Sequence, residues 1–123
     1  MYEKKLIQLI REGTPEEIRE IIKRGAPVDA RDWEEKTALE WSMFYRREDI
    51  AVTLLELGAD INLHDSEGNT PLHNAWGRES GDMIDLLLKN GADSTAVNAD
   101  GKTPEEHKGK GRRIVSVIWE ASE

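Results

Sequence analysis

Apolar residues in the middle of the chain recur with the spacing of short helices. Leu72, Ala75 and Trp76 stand at positions i, i+3 and i+4, which predicts one face of a helix that ends near Gly77. A second apolar group follows it and surrounds much of a helix's circumference, so we expect this helix to lie between neighbours. Its members are Met83, Ile84, Leu86, Leu87 and Leu88. The stretch therefore predicts two short helices separated by a break at residues 78–80.

Polar and special residues mark where these two helices begin and end. Thr70 is suited to cap the first helix, and Pro71 to take its first position, where no N–H partner is needed. Ser80 stands where it can cap the second helix, and Gly91 stands where a left-handed residue would end it. Residues 65–69 have turn composition, with Gly68 free to adopt positive φ. One structural unit is thus a turn, two helices and an extended segment.

The same landmarks return every 33 residues along the chain. Three independent series keep this step: Gly25, Gly58 and Gly91; Thr37, Thr70 and Thr103; Asp32, Asp65 and Asn98. A fixed period of this size indicates stacked supersecondary units. We therefore predict one domain, residues 1–123, made of four repeats at about 1–31, 32–64, 65–97 and 98–123.

The two terminal repeats depart from the central plan. The first begins directly with a predicted helix, Glu3 to Glu12, and its second helix opens with the capping box Thr14-Pro15-Glu16-Glu17. Thr37 to Glu40 and Thr103 to Glu106 have the same Thr-x-x-Glu pattern. The last repeat is predicted to end with a helix around Ile114 to Trp119. These end repeats are expected to cover the apolar faces of the central pair.

The third repeat resembles an ankyrin repeat almost residue for residue. The matching pattern is Asp65-x-x-Gly68-x-Thr70-Pro71-Leu72-His73-x-Ala75, followed by Leu87-Leu88-x-x-Gly91-Ala92-Asp93. The second repeat departs from it with Glu35 for the turn glycine, Ala38 for proline and Glu40 for histidine. The resemblance implies an all-α ankyrin-repeat solenoid of stacked helix-turn-helix units with β-hairpin-like tips. It also implies that the ring of His73 hydrogen-bonds the turn backbone.

Ankyrin-repeat proteins typically bind other proteins through the tips and the concave side of the first helices. The resemblance places ten residues of this chain at such positions. The candidate partner-binding residues are Trp33, Glu34, Lys36, Phe44, Tyr45, Glu67, Asn69, Arg78, Asp100 and Lys102.

Five aromatic residues need separate interpretation. Trp33 lies in a turn among charges, where the fold requires no indole, and tryptophan is enriched at interaction hot spots. The alternative is that Trp33 covers a neighbouring tip. Phe44 and Tyr45, in the last turn of a first helix, either meet a partner or fill space between repeats. Trp76 is expected in the core, and for Trp41 core and surface remain open.

Charge narrows the class of partner. Charged residues make up 34% of the chain and the net charge is −8, which disfavours nucleic acid and anionic membranes and favours a protein with a basic surface. Glu34, Glu67 and Asp100 would supply the negative field at the tips. The basic run from His107 to Arg113 could hold phosphate or an acidic peptide, but a solvated, flexible loop is the favoured interpretation.

Nothing in the sequence indicates catalysis, a metal or a cofactor. The chain has no cysteine, and its three histidines, His64, His73 and His107, are scattered one to a repeat without ligand spacing. The segment from Met1 to Arg11 lacks the apolar core of a signal peptide, and no stretch approaches the roughly 20 apolar residues of a membrane span. We therefore expect a cytoplasmic location.

The sequence predicts a non-catalytic protein-recognition module that is monomeric when free. A small acidic ankyrin protein also resembles a stoichiometric inhibitor or immunity-type protein. A structural or assembly role, as a scaffold or self-associating adaptor, is the alternative class.

Overall fold

The computed structural model describes residues 2–32 and 35–108. These residues form six α-helices and one 3₁₀ helix, Glu105–His107, and contain no strand. The helices are α1 (Tyr2–Glu12), α2 (Pro15–Lys23), α3 (Ala38–Phe44), α4 (Glu48–Glu56), α5 (Pro71–Gly77) and α6 (Gly81–Lys89). The chain divides into two compact units, Met1–Ile61 and Asn62–Glu123. The predicted helix at Ile114 to Trp119 lies outside the described residues.

Threonines cap the helices where the repeat pattern places them. The hydroxyls of Thr14, Thr37 and Thr70 each accept a hydrogen bond from the backbone N–H three residues on, and Thr14 completes a capping box with Glu17. Thr103 forms the same box with Glu106, whose carboxylate accepts from the Thr103 N–H at 2.9 Å. The prediction for Ser80 was wrong in one respect. It occupies the cap position of α6, but its side chain makes no capping hydrogen bond.

Glycines end three helices in the predicted left-handed conformation. Gly25, Gly58 and Gly91 have φ values of 113°, 99° and 92°. The alanine after each glycine donates its N–H to a carbonyl five residues back, as Ala92 does to Leu87 at 3.0 Å. The backbone conformation just after α2, α4 and α6 is therefore the same.

The core of the first compact unit is built from all four of its helices. Helix α1 packs on α3, and α2 packs on α4. Each helix buries the side chains on its inner face, and the cluster consists of Leu6, Ile10, Ile18, Ile21, Ala26, Ala38, Ile50 and Leu54. Partly buried Trp41 and Tyr45 pack against its edge.

Arg47 joins the break before α4 to the end of α1. Its guanidinium donates to the carbonyl oxygens of Ile10 and Arg11, both at 3.2 Å, and of Gly13 at 2.8 Å. These carbonyls belong to the last turn of α1 and the residue just beyond it, where intrahelical donors run out. The Asp49 carboxylate holds the other side of the guanidinium at 3.4 Å. One side chain thus ties the first two repeats together.

The second compact unit pairs α5 with α6 and adds the 3₁₀ helix. Leu72 and Ala75 of α5 and Met83 and Leu87 of α6 are buried. Trp76 is only partly buried, so its predicted place in the core was wrong. It lies on the same face of α5 as buried Leu72, one turn closer to the end of the helix, where the cover over that face is incomplete.

His73 holds the predicted structural position in this unit and is fully buried. The Thr70 N–H donates to Nδ1 of its ring at 3.1 Å. Because Nδ1 accepts, the ring proton is assigned to Nε2, which donates to the Lys102 carbonyl at 2.8 Å. The ring therefore ties the start of α5 to the next turn, as the resemblance implied.

Candidate protein-binding surface

The turn at residues 32–36 has the same backbone bonds as two later turns. The Asp32 N–H donates to the Lys36 carbonyl at 2.9 Å, and the Glu35 N–H donates to the Asp32 carbonyl at 3.0 Å. The turns at 65–69 and 98–102 repeat both bonds. Gly68 and Gly101 have positive φ at the position of Glu35, which itself adopts φ 65°. Glu35 is therefore held in a conformation that favours glycine.

Three aromatic side chains at the end of α3 form the aromatic cluster. Trp41 and Phe44 belong to the helix, and Tyr45 is the residue that follows it. The ring centres of Trp41 and Tyr45 lie 5.7 Å apart in a stacked arrangement. Phe44 meets both edge-on, at 5.5 Å from Trp41 and 5.3 Å from Tyr45. These are favourable geometries for aromatic pairs, so the rings support one another's positions.

Asp32 connects this cluster to the turn. Its carboxylate accepts a hydrogen bond from the Trp41 indole Nε1–H at 2.6 Å and one from the Lys36 N–H at 3.0 Å. A short bond to a charged acceptor is stronger than a bond between neutral groups. The indole orientation and the backbone of Lys36 are thus fixed by the same carboxylate.

Lys36 places its ammonium group on the aromatic cluster. The Nζ atom lies 4.9 Å from the centre of the Trp41 ring and 5.8 Å from that of Phe44. Both distances are within the range of a cation–π interaction. The cluster therefore holds a positive charge supplied by the chain itself.

The aromatic cluster is open to solvent on one side. Phe44 is 49% exposed, and Trp41 and Tyr45 are half-buried. Because the other edge of the cluster packs on the core, the rings form a supported surface rather than loose side chains. Aromatic residues in this condition are suited to bury area against a partner at small entropic cost.

The candidate residues of the second compact unit divide between surface and interior. Glu67, Arg78, Asp100 and Lys102 are exposed. Asn69 is buried, and its side-chain oxygen accepts a hydrogen bond from Asn98 Nδ2 at 2.9 Å. This bond joins successive turns, so Asn69 serves the fold and we leave it out of the surface proposed below. Trp33 and Glu34 lie outside the described residues.

Sequence reasoning identified Lys36, Phe44 and Tyr45 but missed the part played by Asp32 and left Trp41 open. The structure brings all five residues together. Asp32 recurs as Asp65 and Asn98 and was interpreted only as a turn former. A usable signal was the indole N–H of Trp41, because a partly buried indole usually needs an acceptor.

Comparison with known families identifies the central repeats. Residues 37–88 match the family described as ankyrin repeats (many copies). This segment belongs to the ankyrin repeat family. Its all-α helical repeat fold follows from this match and from the helices observed, and ankyrin repeats generally mediate protein–protein interaction. No curated protein matches this ankyrin-repeat chain.

Among the residues that the structure describes, no helix combines the length and apolar character needed to cross a bilayer. Within the same residues, no group of three or more His, Cys, Asp or Glu side chains is placed to hold a metal ion.

Proposed function

We propose that this protein is a non-catalytic recognition module and that its aromatic cluster anchors a partner protein. The observation that carries the proposal is the exposure of Phe44, at 49%, on a group of rings that the core does not need to enclose. The free protein leaves about half of Phe44 in contact with water, and a partner can cover that part. The aromatic contacts with Trp41 and Tyr45 hold the ring in place before binding.

Charge complementarity supports a partner with a basic surface. The net charge of −8 attracts a positive partner over long range and speeds its encounter. We propose that Trp33 and Glu34 extend the anchor in the turn at 32–36. Glu67, Arg78, Asp100 and Lys102 are proposed as further contacts, all exposed in the second compact unit.

We propose a cytoplasmic location, a monomeric free state and no binding to nucleic acid or membranes. The absence of cysteine and the acidic composition support these statements. We also propose that residues 1–123 form a single solenoid domain of four repeats, which the 33-residue period supports. Blocking a basic target as a stoichiometric inhibitor or immunity-type protein is the narrower form of the same proposal.

The test begins with capture of partners from the source lysate at low and high salt. The captured protein is then purified, and its Kd is measured by calorimetry with the wild type, Phe44→Ala and Tyr45→Ala. Each ring is expected to contribute at least about 2 kcal/mol, a loss of affinity of about thirtyfold. Val52→Ala is the matched control, because Val52 is an exposed apolar residue of α4 in the same compact unit.

Unchanged affinity in folded Phe44→Ala and Tyr45→Ala would remove the aromatic cluster from the site. The alternative, a scaffold or self-associating adaptor, predicts a different result. In that case sedimentation would show concentration-dependent self-association of the pure protein, and Phe44→Ala would reduce it.

A further inference from the structure

The ammonium group on the aromatic cluster indicates which side chain the cluster accepts. Lys36 Nζ lies over the faces of Trp41 and Phe44, where the negative π-electron density attracts a cation. Lysine carries a large side-chain entropy that it gives up only for a favourable contact. The free protein therefore already uses its aromatic cluster as a cation-binding surface.

The carboxylate of Asp32 strengthens the attraction of the Trp41 ring for a cation. Its bond to the indole Nε1–H, at 2.6 Å, is charge-assisted and draws the proton away from the ring. Electron density on the indole rises as a result, and a formal negative charge stands at the ring's edge. An aromatic face backed by a carboxylate favours a positive group over a neutral or negative one.

A second turn of this chain shows that the turn itself does not require lysine to lie on rings. Lys102 holds the position of Lys36 in the turn at 98–102, and its N–H likewise donates to the side chain that begins the turn, here Asn98 Oδ1 at 3.0 Å. The Lys102 side chain is exposed. The two lysines thus share a backbone position in their turns but differ in what their side chains contact.

We propose that the aromatic cluster binds an arginine side chain of the partner, and that this arginine displaces Lys36 from the rings. This inference rests on the proposed function and names the group that the anchor recognises. A guanidinium is planar and more weakly hydrated than an ammonium, so it stacks on aromatic faces more readily. The exposed face of Phe44 gives it access. Lys36 occupies the surface in the free state and returns to solvent when the arginine arrives.

The displacement has a measurable consequence. Because the cation–π contact keeps Lys36 on the rings in most molecules, the rings are open in only a minority, and the apparent Kd for an arginine rises by the inverse of that fraction. Removing the lysine should therefore tighten arginine binding about three- to sixfold. If Lys36 instead paired with an acidic group of the partner, its removal would weaken binding.

The experiment titrates the whole protein with a capped Gly-Arg-Gly peptide and follows the Trp41 indole N–H by NMR, with the signal assigned from Trp41→Phe. Capped Gly-citrulline-Gly, which is neutral and nearly isosteric, and capped Gly-Glu-Gly are the comparison peptides. The proteins are the wild type, Lys36→Gln and the matched control Lys23→Gln, which makes the same charge change at an exposed lysine of α2 in the same compact unit. We expect millimolar binding of the arginine peptide, tightened in Lys36→Gln and unchanged in Lys23→Gln.

Three results would overturn the inference: equal binding of the citrulline peptide, preference for the glutamate peptide, or arginine binding that Lys36→Gln weakens or leaves unaltered. None of them depends on having found the partner. Failure of the proposed function is seen separately, as partner affinity that does not respond to Phe44→Ala. The peptide titration and the partner measurement therefore fail independently.

Discussion

The guanidinium of Arg47 donates to the backbone carbonyl of Gly13 at 2.8 Å, across 34 positions of sequence. The same group serves Ile10 and Arg11, so the open end of α1 is capped by a residue of the following repeat. A helix terminus normally finds its partners in its own flanking residues or in water. Here the completion of one repeat depends on the next.

Arg47→Ala is expected to destabilise the protein by about 2–3 kcal/mol, because it leaves three carbonyls, two of them in partly buried contacts, without their charged donor. Arg47→Lys should recover little of this, since an ammonium does not reproduce the spread of the guanidinium. Urea denaturation followed by circular dichroism gives the free energy of unfolding. Arg24→Ala is the control: its exposed pair with Glu20 contributes about 0.3–0.5 kcal/mol. Equal losses in the two alanine variants would contradict the capping role.

Glu35→Gly is expected to stabilise the protein by about 0.5–1 kcal/mol. Glu35 has φ 65°, where a side chain costs about 1–2 kcal/mol, and the gain is reduced by the larger chain entropy of glycine. The converse change, Gly68→Ala, should destabilise more strongly, because a Cβ there would lie 2.8 Å from the Ala99 nitrogen. The midpoints of thermal unfolding of Glu35→Gly and Gly68→Ala, compared with that of the wild type, test both predictions. A lower midpoint for Glu35→Gly would show that the ion pair of Glu35 with Arg31 outweighs the strain.

His73→Ala is expected to cost about 2–4 kcal/mol of unfolding free energy. It removes a fully buried ring and leaves the Thr70 N–H without its acceptor. The Lys102 carbonyl loses one of its two donors and keeps the Asn98 N–H. His64→Ala, at an exposed position, should change stability by less than about 0.5 kcal/mol. Hydrogen exchange at Thr70 gives a second measurement, because its amide should lose protection only in His73→Ala. Retained protection would contradict the bridging role.

The Asp93 carboxylate provides a prediction about pH. The Thr95 hydroxyl at 2.6 Å, together with the Thr95 N–H at 2.8 Å, holds the pKa of Asp93 below its usual range. Since the folded pKa is depressed, the stability that Asp93 contributes is present above the unfolded pKa of about 4 and is lost as pH falls through the folded value. Thr95→Val should raise the pKa of Asp93 towards its usual value in an NMR titration of the carboxyl carbon. Ser94→Ala, the control, should leave the pKa of Asp93 unchanged.

Much of the fold could be predicted because the same local sequence pattern recurs in successive repeats. Gly25, Gly58 and Gly91 share one conformation, and each falls where the period and helix-end chemistry place it. Arg46 and Glu79 also have positive φ, at 57° and 54°, and they too are 33 positions apart. They occupy the left-handed position that ends α3 and α5, because the next N–H groups, of Arg47 and Ser80, donate to carbonyls five residues back. No pattern in the sequence marked them, since neither residue type favours that conformation.

The candidate site was predictable as separate residues and not as an arrangement. The positions of Phe44 and Tyr45 followed from the family resemblance, whereas the bond between Asp32 and Trp41 depends on how the turn folds back over the start of α3. This hydrogen bond joins a residue of the turn to a residue of the helix nine positions later. Helical periodicity predicts contacts within one helix only, so it could not predict this bond. Trp76 shows the opposite error, since an apolar spacing placed in the core a ring that stays partly exposed.

Three turns of this protein close with the same pair of main-chain bonds around different side chains. The closing bonds do not involve the side chains at the middle of each turn, so mutations there can accumulate with little damage to folding. New target preferences could then arise by drift at these positions, one turn at a time. A library randomised at 66–67 and 99–100 would explore how far this tolerance extends in the laboratory.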